Sequence, residues 1–269
     1  MATTRSTGGD ASLPNPERLV PALQLVALHK VFGDTAAVQH VDLTVPQGAF
    51  FGLVGPNGAG KTTLLSMAVG LLRPTSGRSL VFGVDVWGDA LRAKSLIGVL
   101  PDGLALPERL TGRELLTFLG QLRGLDSSTV AQRTDDLLQV LGLIDAERTL
   151  VIDYSTGMRK KIGLATALLH RPRLLILDEP FEAVDPLSAA TLKTILQRFV
   201  AAGGSVVFSS HVMAVVEQLC DTIAILANGA VIAAGPIDQV RNGHSLEDTF
   251  VRLVGESGRA GGELTWLVS

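Results

Sequence analysis

Apolar residues fall into two rhythms along this chain. Short uninterrupted runs occur at Phe50–Val54, Ile97–Leu100 and Leu174–Leu177, and near-continuous ones at Ser205–Ser209 and Thr222–Leu226. Runs this short, without polar alternation, predict strands buried on both faces. Over residues 108–170 the rhythm changes. Leu115, Leu116, Leu119, Leu122, Val130, Leu137, Leu138 and Leu141 recur at helical spacing, punctuated by Gly124 and Gly142. This predicts a helical subdomain over about residues 103–170. Beyond it, helices predicted at Leu187–Ala201 and Met213–Leu219 alternate with strands, the last at Val231–Ala234. Such alternation implies an α/β fold with a mainly parallel sheet. Weaker strand patterns lie at Leu23–Leu28, Val41–Val45 and Leu80–Phe82. Pro46-Gln47-Gly48 reads as a turn. Thr62–Leu72 reads as a helix closed by Pro74-Thr75-Ser76-Gly77. Residues 1–22 lack periodicity and read as a mobile tail. Ser245–Val254 reads as a short amphipathic helix before a Gly-rich tail, so that 237–269 forms a C-terminal appendage.

Composition narrows the reading. The 269 residues are 46% hydrophobic and 18% charged, which excludes wholesale disorder. The length suits one domain, or one with a subdomain. A mean hydropathy of +0.35 raises the question of a membrane span. The longest charge-free stretches, Leu43–Gly60, Phe199–Val216 and Thr222–Ile237, are all broken by glycines, prolines or polar residues, and none offers the roughly 20 apolar residues a spanning helix needs. Met1–Asp10 has no apolar core, so no secretory signal is expected. The single cysteine, Cys220, excludes an internal disulfide framework and fits a cytosolic setting. A net charge of −3 argues against a dedicated nucleic-acid binder, which would be basic.

Two motifs carry chemistry. Gly55-Pro56-Asn57-Gly58-Ala59-Gly60-Lys61-Thr62, followed by Thr63, has the Gly-x4-Gly-Lys-Thr spacing. Glycines let successive N–H groups turn toward phosphate oxygens, and the following helix presents its positive end to the same point. Lys61 adds a point charge, and the Thr62 hydroxyl can ligate Mg2+. Leu174–Leu177 ends in Asp178 and Glu179. A buried parallel strand delivers ligands at its C-terminal edge. There Asp178 would hold Mg2+ through water, and Glu179 would orient and deprotonate an attacking water.

A third motif, Tyr154-Ser155-Thr156-Gly157-Met158, opens an apolar helix. Taken alone, Ser155 reads as an N-cap, and the same arrangement is also an anion site. The order of all three motifs, with His211 after them, resembles the nucleotide-binding subunit of an ABC transporter. The resemblance spans residues 23–236, and its details point to bacterial exporter-like subunits. It implies a P-loop NTPase core with an N-terminal antiparallel β segment and an inserted helical subdomain. It also implies ATP and Mg2+, and a second subunit, identical or not, that shares each ATP. Ser155 and Gly157 would then contact the γ-phosphate bound by the partner copy, and His211 would be the switch histidine at that phosphate. Asp185 would lie in the loop that crosses to the partner. Phe32 would either stack on adenine or simply pack in the core. Asp102 stands where the family usually carries glutamine, and an aspartate there can still bind Mg2+ or a water. The usual double glycine of the third motif is Thr156-Gly157. A chain without its own span would serve a separate membrane permease and sit peripherally on the inner face of the membrane. The alternatives are a soluble ABC-type ATPase acting on ribosomes or DNA, and a regulatory ATP binder with weak hydrolysis.

Overall fold

The computed structural model describes residues 20–103 and 105–257, with side chains through Gly255. The expected N-terminal tail falls largely outside them, as does the Gly-rich C-terminal tail. Residues 20–22 already lead into a strand: Ala22 is buried, and its N–H donates to Val45 O at 2.9 Å.

Among the described residues, ten strands form two sheets. The central sheet has six: β10 (Ala230–Pro236), β9 (Thr222–Ala227), β3 (Phe50–Val54), β8 (Ser205–Ser210), β7 (Leu174–Leu177) and β6 (Ile97–Leu100), in that spatial order. The pairs from β9 across to β6 are parallel, and β10 is antiparallel to β9. The second sheet is antiparallel, in the order β2 (Thr35–Val45), β1 (Leu23–Phe32), β4 (Ser76–Val81), β5 (Val84–Asp85).

The unbroken apolar runs conceal a period of two. In β3, Phe51 and Leu53 face one core together with Leu64 and Met67, while Phe50 and Val54 face the other together with Ile162, Leu192 and Val216. In β7, Leu174 and Ile176 divide from Leu175 and Leu177 in the same way. Successive side chains point to opposite faces, and both faces are covered, so every position is apolar. One cover is the small sheet with helix α1 (Lys61–Ala68). The other comprises α5 (Thr156–Leu168), α6 (Pro186–Ala201) and α7 (Met213–Leu219), with α3 (Gly112–Leu122) and α4 (Ser127–Val140) packed beyond.

Local chemistry sets the helix starts. Thr111 and Glu114 form a reciprocal capping box on α3, Asp126 caps α4, and Asp185 caps α6 with Pro186 at its first turn. Several elements differ from the sequence expectation. β4 begins at Ser76, inside the stretch expected to close a helix, and β2 begins at Thr35 and not Val41; β5 and two helices carry no pattern that foretold them or their ends. The helix expected through Leu72 ends at Ala68, because Gly70 enters the left-handed region (φ +77°), and Leu71 and Leu72 then both donate to Ser66 O. Helix α2 (Ala90–Leu96) lacks apolar periodicity: only Ala93 is buried, and the Asp89 cap, accepting from Arg92 N–H, defines its start. The chain closes with α8 (Ile237–Arg241) and α9 (Leu246–Ser257).

Candidate active site

The Gly55–Thr62 loop links β3 to α1 and curls around a cavity of about 380 Å³. Its shape needs glycine at two places. A Cβ on Gly60, at φ +102°, would lie 2.5 Å from Ala37 O, and one on Gly55 would collide with Leu226 O. Ala59 is buried and accepts a hydrogen bond from Gly229 N–H at 3.0 Å, which ties the loop to the β9–β10 turn. Helix α1 has no side-chain N-cap, so its leading N–H groups face the cavity without a protein side chain in competition. Pro56, Asn57, Gly58, Ala59, Gly60, Lys61, Thr62 and Thr63 all line this cavity. Lys61 Nζ, nearly buried, donates to Gly55 O at 2.8 Å and lies 3.4 Å from Glu179 Oε1.

Asp178 and Glu179 leave the C-terminal end of β7 side by side and both are buried. Glu179 lines the loop cavity with Asp102 and Glu182. A smaller recess of about 70 Å³ is lined by Thr62, Asp102 and Asp178, the three residues expected to hold Mg2+. Among the described residues no three His, Cys, Asp or Glu side chains form a metal cluster by themselves.

Glu179 is unusual in its backbone. Its φ is +45°, a region that costs a non-glycine residue about 1–3 kcal/mol unless its surroundings enforce it. Several groups do so. Ser209, fully buried on β8, accepts from Glu179 N–H at 2.8 Å, and its hydroxyl donates to Asp178 Oδ1. Lys160 on α5 donates to Glu179 O at 2.8 Å. His211 Nδ1 lies 3.1 Å from Glu179 Oε2; since a carboxylate only accepts, the ring donates through Nδ1–H. Neither Ser209 nor Lys160 stood out in the sequence. Both act on residues far away along the chain, and Ser209 lies inside an apolar run like an ordinary strand residue.

The remaining candidates lie apart from the loop cavity. Ser155 caps α5 through Met158 N–H at 3.2 Å and is exposed. Gly157 is buried against the start of α6, where a Cβ would meet Asp185 Oδ2 at 2.7 Å and Ser188 Oγ at 2.8 Å. Asp185 accepts from Ser188 N–H at 2.9 Å, and that bond holds its carboxyl below the usual range. Phe32 is half exposed, with Lys30 Nζ 5.0 Å from the ring centroid, so it is not a core residue.

The comparisons with known proteins meet this geometry. The ABC transporter family model matches residues 38–182. An uncharacterised ABC transporter ATP-binding protein of Nostoc sp. is 41% identical over 200 residues, covering 74% of this chain, which spans 59% of that relative's length. The daunorubicin/doxorubicin resistance ATP-binding protein DrrA of Streptomyces peucetius is 37% identical over 86% of this chain and 70% of its own. A solved structure of an ATP-binding subunit of an ABC transporter superposes with a TM-score of 0.80 at 30% identity, covering 86% of this chain and 99% of that one. The phosphate loop, the acidic strand end and the α/β core with its antiparallel sheet define an ATP-binding cassette. The chain belongs to the ABC transporter family, as an ATP-binding subunit.

Proposed function

We propose that this subunit hydrolyses ATP and uses the cycle to drive a separate membrane permease. The observation that carries this reading is the meeting of Lys61, Thr62 and Glu179 around one cavity, with His211 bonded to Glu179. The loop N–H groups and Lys61 would bind the β- and γ-phosphates. Thr62, Asp102 and Asp178 would hold Mg2+, which when bound supplies positive charge to the phosphate oxygens. Glu179 would take a proton from water as the new O–P bond forms and the bond to the ADP oxygen breaks, while His211 holds the carboxylate in place.

Completion of the site would require a second copy or a homologous subunit. Ser155 and Gly157 lie away from the loop cavity, at a helix start where Ser155 and Thr156 are exposed, suited to an anion presented from outside. Asp185, at the neighbouring helix start, would lie at the same junction. Phe32, exposed at the β1–β2 turn, is free to stack on adenine. ATP shared between two copies would favour the closed dimer, and loss of the γ-phosphate would remove that differential affinity.

The permease contact is supported by a groove of about 740 Å³ between the core and α3. Leu71, Leu91 and Leu122 line it and are all exposed, and the charged side chains along it are Lys94 and Arg123. Exposed apolar surface of this kind marks a protein-binding face, and the two cations suit an apolar segment with an acidic residue. No helix among the described residues is long and apolar enough to cross a membrane. The subunit would therefore work at the inner face of the membrane through that contact, and the drug-resistance name of the Streptomyces relative supports an export role.

The deciding test is Glu179→Gln. ATP affinity should stay within about twofold and turnover should fall roughly 10²- to 10⁴-fold, the usual contribution of a general base. An ATP-dependent dimer should persist in size-exclusion chromatography. Unchanged turnover would remove Glu179 from this role.

A further inference from the structure

We propose that Lys160 and Ser209 are positioning residues that clamp the backbone of Glu179, and that Lys160 makes the aim of this carboxylate depend on the seating of α5. The inference rests on the reading of Glu179 as the base in ATP hydrolysis. A left-handed glutamate has no intrinsic reason to stay left-handed, since its Cβ disfavours that region. Here both backbone polar groups of the residue are held by side chains from different elements. Ser209 on β8 accepts from the N–H at 2.8 Å, and Lys160 on α5 donates to the carbonyl at 2.8 Å. The carbonyl also accepts from Glu182 N–H, at a longer 3.3 Å, so with either side-chain bond released that one turn contact is left to oppose relaxation of φ toward the ordinary region. The Cα–Cβ vector then swings, and the carboxylate leaves the positions 3.4 Å from Lys61 and 3.1 Å from His211.

The two clamps differ in reach. Ser209 also donates to Asp178, so its loss would disturb the expected metal ligand as well as the base. Lys160 is bonded to Glu179 alone, from the helix capped by Ser155. Its ammonium seeks a backbone carbonyl although Asp102 and Glu182 line the same recess. A carbonyl there binds Lys160 only while Glu179 keeps its strained conformation. Any shift of α5, whether from a partner at Ser155 or from the groove between the core and α3, would therefore be felt at the base.

The experiment compares full-length wild type, Lys160→Met, Lys160→Arg and Ser209→Ala for steady-state turnover and for binding of a fluorescent ATP analogue. Each variant is also made in the Glu179→Gln background. The expected result for Lys160→Met is a kcat roughly ten- to a hundredfold lower, the size of a misaimed catalytic group, with binding within twofold. Lys160→Arg should recover most of the rate. In the Glu179→Gln background, Lys160→Met should cost nothing further in single-turnover assays, because both changes act through one carboxylate. Ser209→Ala should lower kcat and also raise the Mg2+ concentration needed for half-maximal rate. The proposal is overturned if Lys160→Met turns over like wild type, if Lys160→Arg is no better than Lys160→Met, or if the loss in the Glu179→Gln background is as large as in wild type. A wild-type protein that hydrolyses no ATP overturns the hydrolysis reading, and the clamp with it; an active wild type with an equally active Lys160→Met overturns the clamp alone.

Discussion

Two helix starts in this molecule are proposed to meet phosphate, and they are built in opposite ways. The start of α1 has no side-chain cap; Gly60 is left-handed, and Lys61 folds back over a cavity enclosed by its own loop. The start of α5 is capped by Ser155 through its bond to Met158 N–H and stands exposed. The first withholds side-chain caps from its N–H groups and surrounds them with protein, so it is built as a full pocket. The second satisfies itself and leaves only its outer face open, which suits the half-site proposed for it. A helix N-terminus carries the same dipole in both cases. What differs is enclosure, and enclosure decides how much each interaction with charge is worth.

The comparison can be broken most forcefully at Lys61. Lys61→Ala removes the cation proposed to face the phosphates, and charged hydrogen bonds contribute about 1.5–3 kcal/mol each. ATP affinity by calorimetry should fall by about a hundredfold, and an unchanged affinity would dismantle the loop as the principal site. Next comes Ser155→Asp. Aspartate caps a helix as well as serine does, so thermal stability should stay within about 1 kcal/mol. The added negative charge faces outward, so ATP-driven dimerisation should be lost, as read by light scattering. Retained dimerisation would mean that this helix start meets no phosphate.

Gly157→Ala sharpens the contrast by testing a packing role. The new methyl group would press on Asp185 Oδ2 and Ser188 Oγ at 2.7 and 2.8 Å. Overpacking of this kind costs about 1–3 kcal/mol, to be read as a lower urea midpoint. A neutral result would free Gly157 for a purely ligand-facing role.

The smallest effect concerns pH. His170 Nε2 donates to Ile97 O at 2.9 Å, and burial, aided by Arg123, lowers the imidazole from 6.5 to about 4. The unfolded chain then binds the proton first. This contribution to stability is whole above pH 6.5 and declines as the pH falls toward 4. His170→Gln keeps a donor for Ile97 without titrating. The urea midpoint of the variant should fall less between pH 7 and pH 5 than that of wild type.

Much of the candidate site was legible beforehand because its logic is local. Gly55–Thr62 declares a phosphate loop by the spacing of adjacent residues, and Asp178-Glu179 declares a strand end by its four preceding aliphatics. Ser155 was legible as a cap for the same reason. Asp102 was recognisable only by its place in a resemblance, and the fold puts it beside Thr62 and Asp178. Ser209 and Lys160 were not legible, because a serine in a strand and a lysine on a basic helix turn carry no local signal of the partner they will find.

The sequence by itself determined the order and type of most elements, the phosphate loop and the capped helix starts. Each depends on hydrogen bonds and steric limits among residues a few positions apart. Tertiary structure decided which face of the sheet each apolar residue serves. It also brought Glu179 between Lys61 and His211, kept its backbone left-handed, and left Leu71, Leu91 and Leu122 uncovered along one groove. Those outcomes depend on parallel strands distant in sequence settling into one register, where β7 lies beside β8 and β8 beside β3. No window of neighbouring residues contains that pairing. It emerges only when both faces of the sheet are buried at once.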